Sequence, residues 1–226
     1  LFGHPDVYII FLPMAAVLST IIPVFAGRPM VGYRASVVAI IAVGFLSFGL
    51  WVHHMFTVGI PHLALAFFSA ASAILGIPTA LQIFAWLATL AHGKPRWSLP
   101  MLYVFGFFFV FVCGGLTGIM LAMVPFDWQA HDTYFVVAHL HYVVAGALAF
   151  PMLAGMYYWL PLLTGRTTVR GLSTLAFWLV FVGFNLTFFM MHLTGLMGMP
   201  RRVYTFYGDE GWNWLNLLSS VGSFIM

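Results

Sequence analysis

The chain has 226 residues, 63% of them hydrophobic and only 6% charged, with a formal net charge of +3 and a mean hydropathy of +1.03. A soluble domain carries about 25% charged residues, so this composition excludes a water-facing globular surface. With no basic run beyond Arg201-Arg202 there is no nucleic-acid footprint, and the single Cys113 excludes an internal disulfide or a thiolate cluster.

Crossing a hydrocarbon layer of roughly 30 Å takes about 20 apolar residues in a helix. In chain order such runs are predicted at 7–25, 35–56, 63–90, 100–123, 133–163 and 172–197, with a further run starting near Trp212. Lipid offers no partner to backbone polar groups, so each span must be helical. The expected fold is all-α, a polytopic transmembrane helix bundle with six full spans plus the start of a seventh. Pro13, Pro23, Pro78 and Pro151 fall inside spans, where neighbouring helices absorb the local break. The apolar stretches run close to both ends of the sequence, so residues 1–226 read as a single membrane domain and a fragment of a longer chain.

Alternate loops lie on opposite sides of the bilayer. Arg28, Arg34, Lys94, Arg96, Arg166 and Arg170 fall on one side, which the positive-inside rule makes cytoplasmic or matrix-facing. Arg201 and Arg202 lie on the other, outer side with Asp127, Asp132, Asp209 and Glu210. This topology brings His4, His53, His54, His139 and His141 to the outer third of the bundle. Ionisable groups inside a membrane are costly and mark functional sites, and imidazole clusters suit copper and iron.

His139 and His141 are two residues apart, so on a helix they project about 200° from each other and cannot share one metal. They can serve two metals on opposite faces, and two haems flanking the helix fit. His53 and His54 are adjacent at the outer end of span two. A slightly unwound helix end turns both toward one ion, with His4 as third ligand. Tyr8 follows His4 by four residues and shares its helix face. Asp6 lies between them on another face. Arg201 and Arg202 suit bidentate capture of buried carboxylates such as haem propionates. His62, His92 and His192 read as interfacial side chains near segment ends, and Gly114, Gly115 and Gly118 as points of close helix contact.

His-Pro-Asp-Val-Tyr (His4 to Tyr8), Trp-Val-His-His-Met-Phe-Thr-Val-Gly (Trp51 to Gly59), His-Asp-Thr-Tyr-Phe-Val-Val-Ala-His-Leu-His-Tyr (His131 to Tyr142) and Gly-Met-Pro-Arg-Arg (Gly198 to Arg202) together resemble the core motifs of the haem–copper oxidase subunit I family. The resemblance runs through essentially the whole chain, from the family's sixth helix into its twelfth. It implies reduction of O2 to water with electrons from cytochrome c, coupled to proton translocation. His4, His53 and His54 would bind copper B, with His4 covalently joined to Tyr8. His139 would be axial ligand of the high-spin haem and His141 of the low-spin haem, both haems being of type a. His131 and Asp132 match positions beside a magnesium or manganese ion. Arg201, Arg202 and Asp127 match the network around the haem propionates. Ser19, Thr79 and Gln82 match polar positions of an inner proton channel, and Asp6 stands where the family has Glu.

Two departures bear on the proton path. Asp6 is one methylene shorter than the usual Glu, and Gln82 replaces the usual Lys, so an amide stands where an ammonium is expected. The resemblance further implies oxidase subunits II and III as partners; composition and charge point to a lipid bilayer and no nucleic acid, and the Gln82 departure favours a bacterial inner membrane over a mitochondrial one. A quinol donor and nitric oxide reduction are the enzymatic alternatives; a transporter or channel with histidines lining a polar path is the non-enzymatic one. Relatives that reduce nitric oxide lack the tyrosine and surround the metal with carboxylates.

Overall fold

A computed structural model describes residues 3–226. The chain is built from α-helices, and among the described residues there is no strand, only an isolated bridge between Thr133 and Pro200. Helix α1 (Gly3–Ala26) carries Pro13 and Pro23 and stops at Gly27, whose φ of 67° is the left-handed conformation that commonly ends helices. Helix α2 (Tyr33–Ser47) is followed by a 3-10 turn, Trp51–Met55. Helices α3 (His62–Ile74) and α4 (Gly76–His92) form one apolar stretch interrupted at Leu75. Pro78 has no N–H to return to the Ile74 carbonyl, which accounts for the break there.

Helix α5 (Leu99–Ala122) leads through an extended Met123 into the short α6 (Val124–Ala130), with Pro125 in its first turn. Helix α7 (Tyr134–Leu140) starts on Thr133, whose hydroxyl accepts the Phe135 N–H at 3.2 Å, and runs through a π turn (His141–Ala145) into α8 (Gly146–Thr164). Helices α9 (Arg170–Leu196) and α10 (Asn213–Ile225) complete the chain.

Among the described residues five stretches are long and apolar enough to span a membrane, and Tyr33–Ser47 is a shorter apolar helix. The spans expected at 7–25, 100–123, 133–163 and 172–197 correspond to α1, α5, the α7–α8 unit and α9 within a few residues. Span two is the main correction. It is helical for 15 residues only: the Ser47 hydroxyl bonds back to the Gly44 carbonyl at 2.9 Å, and Gly49 stands two residues further on. Helix α6 lies outside the predicted spans, and the π turn lies within the one expected at 133–163.

Helix α5 is the packing centre, set against α8 with α1, α7 and α9 around it. Phe11 stacks on Phe111 at 4.9 Å between ring centroids, and Phe107 stacks on Phe111 at 4.9 Å. On the outer side the chain ties itself together. The Tyr134 N–H donates to Met199 O at 2.9 Å and the Arg201 N–H to Asp132 O at 2.8 Å. That strap holds Asp132 (φ 56°) and Arg202 (φ 66°) in the left-handed region, which costs a non-glycine residue roughly 1–2 kcal/mol.

Candidate metal centre

Two helical elements deliver His4, His53 and His54 to one point: the first turn of α1 and the 3-10 turn after α2. In the 3-10 turn successive residues are about 120° apart, and the long imidazole arms close that angle. His53 Nε2 lies 3.1 Å from His54 Nε2, and His54 Nε2 lies 3.3 Å from His4 Nδ1. One ligand atom from each residue falls within 4.8 Å of the others. Metal–nitrogen bonds of roughly 2.0 Å at tetrahedral angles separate the nitrogens by about 3.3 Å, so the observed spacing fits a single transition-metal ion such as copper.

The tautomer of His53 follows from its neighbour. Ser72 on α3 donates its only proton to Phe68 O at 2.6 Å, so its contact with His53 Nδ1 at 2.9 Å requires the proton on Nδ1. The Nε2 lone pair is thereby left facing His54 and His4. Ser72 was absent from the sequence reading, because a serine ten residues into a span has no local signal of this contact.

Tyr8 packs against His4 edge-on, ring centroids 5.1 Å apart, and the outward nitrogen of His4, Nε2, is buried without a hydrogen-bond partner. Asp6 is exposed and turned away from this group.

His139 and His141 diverge as their spacing requires. His139 Nδ1 donates to Gly114 O at 3.0 Å, with Thr117 Oγ1 at 3.3 Å, so it faces α5 and keeps Nε2 available. His141 Nδ1 donates to Val137 O at 2.8 Å, and its ring stacks on Phe188 of α9 at 4.1 Å between centroids. Each ring is fixed through Nδ1 with Nε2 left for an axial bond, the arrangement a haem ligand needs. Gly118 makes room for His139: a Cβ there would lie 2.8 Å from its Cε1. Gly114 has the same function against Tyr142, whereas Gly115 faces open space and is not a contact glycine.

At the outer end, His131 Nδ1 donates to Asp127 Oδ2 at 3.0 Å and Arg201 pairs with Asp132. Burial pushes the Asp127 carboxyl above the usual carboxylate range, and the neighbouring His131 opposes that shift. Arg202 is exposed. On the inner half, Ser19 Oγ accepts from Trp86 Nε1 at 3.0 Å, Thr79 Oγ1 donates to Leu75 O at 3.0 Å, and Gln82 is buried. His62 and His92 are exposed at helix ends as expected. His192 is not interfacial: it is buried in α9 against Phe135 and Tyr142, with ring centroids 5.1 and 5.2 Å away.

Residues 1–225 match the family described as Cytochrome C and Quinol oxidase polypeptide I. The chain belongs to that family. It is 48% identical over 226 residues to cytochrome c oxidase subunit 1 of Bacillus subtilis, covering all of this chain and 36% of the relative. It is 46% identical over 225 residues to the subunit 1 of a Synechocystis species, covering 40% of that protein. This member of the polypeptide I family thus spans little more than a third of the length of the curated relatives it matches. A haem–copper terminal oxidase dimer solved by cryo-EM shares the fold, with a TM-score of 0.87 at 23% identity over 99% of this chain and 45% of that one. Family membership implies haem and copper, and the all-helical bundle with several membrane-spanning helices is that of an integral membrane protein.

Proposed function

We propose that this chain is the part of a haem–copper oxidase catalytic subunit that holds copper B and carries one axial ligand for each of two type a haems. The complete subunit reduces O2 to water with electrons from cytochrome c and couples this to proton translocation. The observation that carries the reading is the convergence of His4 Nδ1, His53 Nε2 and His54 Nε2. When bound, the copper and the high-spin haem supply the electrons and the binding position for O2.

The protein's own residues hold and orient. Ser72 keeps His53 in the tautomer that presents Nε2. Gly114 O does the same for His139, and Val137 O for His141. His4 Nε2, unpartnered beside Tyr8, is the nitrogen available for the covalent join that the family implies. Tyr8, packed edge-on against His4, would be placed to supply a proton and an electron at this centre when the metals are bound. His131 and Asp132 hold a magnesium or manganese ion, and Arg201, Arg202 and Asp127 form the network for haem propionates. The strap that joins Asp132 to Arg201 fits this assignment by fixing both side chains to one rigid outer edge.

Cytochrome c is the donor and oxidase subunits II and III are the partners, in the inner membrane of a bacterial cell. Nitric oxide reduction is disfavoured by Tyr8 beside His4 and by the absence of any carboxylate from the imidazole group among the described residues. An optical spectrum and metal analysis of the full-length protein extracted from membranes test the proposal. Two haems and one copper per complex are expected at this site; protein free of haem removes the oxidase reading and leaves the transporter.

A further inference from the structure

Helix α4, the inner half of its span, carries Thr79, Gln82, Trp86 and Thr89 at spacings of three, four and three, which places them on one helix face. That face is sealed. Gln82 is 3% exposed, and Trp86 and Thr89 are fully buried against α1 and α2. With its amide oriented to satisfy both ends, Gln82 Nε2 donates to Ser36 O of α2 at 3.2 Å, and Gln82 Oε1 accepts from Trp86 Nε1 at 3.0 Å. The same indole N–H reaches Ser19 Oγ of α1 at 3.0 Å. Three helices therefore meet on one amide and one indole. Below them, Thr89 Oγ1 accepts the Val31 N–H at 2.9 Å and donates to Ala85 O at 2.7 Å. Above them, Thr79 donates to Leu75 O.

No side chain of this seam is ionisable. Thr79 and Thr89 have already given their protons to backbone carbonyls. An indole N–H donates only and has no lone pair with which to take a proton, so a proton wire ends at Trp86. The seam lies about 15 Å inward of Ser72 at 1.5 Å per residue, directly beneath the imidazole group.

We infer that Gln82 is a clamp and not a proton carrier: it locks Trp86 across the α1–α2–α4 seam and closes that seam to protons. Protons for the metal centre therefore enter elsewhere in the complete protein. The inference rests on the oxidase reading for its functional consequence, while the clamp itself stands on the hydrogen bonds alone.

The test uses the complete oxidase with Gln82→Met, Trp86→Phe and both together. Met is close to Gln in shape and has no amide. Each single change is expected to lower the unfolding midpoint by roughly 2–4 °C. The double change lowers it by less than the sum, because both remove the same bond. Proton uptake from the inner side on anaerobic reduction slows less than twofold in every variant. An unchanged midpoint, strictly additive shifts, or uptake slowed more than twofold overturns the clamp. If the parent protein proves to hold no haem, the oxidase reading fails, and the melting measurements still decide the clamp.

Discussion

Gly118→Ala is the sharpest perturbation of the site, because it adds one methyl group at a known place. The new Cβ would lie 2.8 Å from His139 Cε1, 3.5 Å from Nδ1 and 3.6 Å from Nε2. Ordinary carbon contacts sit near 3.5–4.0 Å, so the ring must retreat by about an ångström. Recoil of α5 instead would open the close contact that Gly114, one turn earlier, makes with Tyr142. The ring either leaves its rotamer, at roughly 0.5–1.5 kcal/mol, or gives up the buried bond to Gly114 O, at about 1–3 kcal/mol. Disturbing such a support typically lowers affinity 10–100-fold, so haem content at His139 falls while copper content is unaffected. Haem-to-protein ratio and absorption spectrum of the purified complete oxidase measure it. Gly115→Ala is the control: nothing lies within 4 Å of its added carbon, and it is expected to match the parent. Full haem occupancy with an unchanged spectrum in Gly118→Ala would refute the assignment of His139 as an axial ligand held through Gly114.

His54→Ala removes the imidazole that bridges the other two, and metal analysis is expected to find the copper gone with haem retained; retained copper counts against the triad. Ser72→Ala takes away the acceptor that fixes His53 Nδ1–H, so copper affinity drops about 10–100-fold, whereas Ser72→Thr keeps it. Equal copper loading across a chelator series in all three proteins would dismiss Ser72 as a support. Gly195→Ala places a carbon on the Phe135 backbone where α7 and α9 touch. Overpacking of this kind costs about 1–3 kcal/mol, expected as a lower unfolding midpoint with loss of both haems, and an unaltered midpoint speaks against that close approach.

The helical plan was legible because lipid leaves one solution for a long apolar run, and α1, α5 and α9 end within a few residues of their predicted limits. The placement of the five histidines was legible for a related reason: counting spans fixes the side of the membrane, and spacing fixes the face. What escaped were features set by contacts between helices. The early end of α2 depends on Ser47 bonding back to Gly44 before Gly49, and the π turn leaves no mark in hydropathy. His192 looked interfacial from its place near the end of α9, yet α7 covers it. Gln82 shows the limit of motif reading. Its position suggests a proton channel, and only the three-helix geometry reveals an amide bound at both ends.

The π turn at His141–Ala145 holds more residues per revolution than an α-helix. It acts as a phase slip between the ligand-bearing outer segment and Gly146–Thr164. The turn uses about one residue more than an α-helix needs for a similar rotation, so removing one residue would restore regular winding and leave Gly146 and Phe150 facing α5. A further inserted residue has no such compensation and would swing the inner segment by about 100°, pulling Gly146 and Phe150 off α5. This stretch therefore tolerates the loss of a residue after His141 and Tyr142 better than the gain of one, and the register it sets is what a designer must preserve.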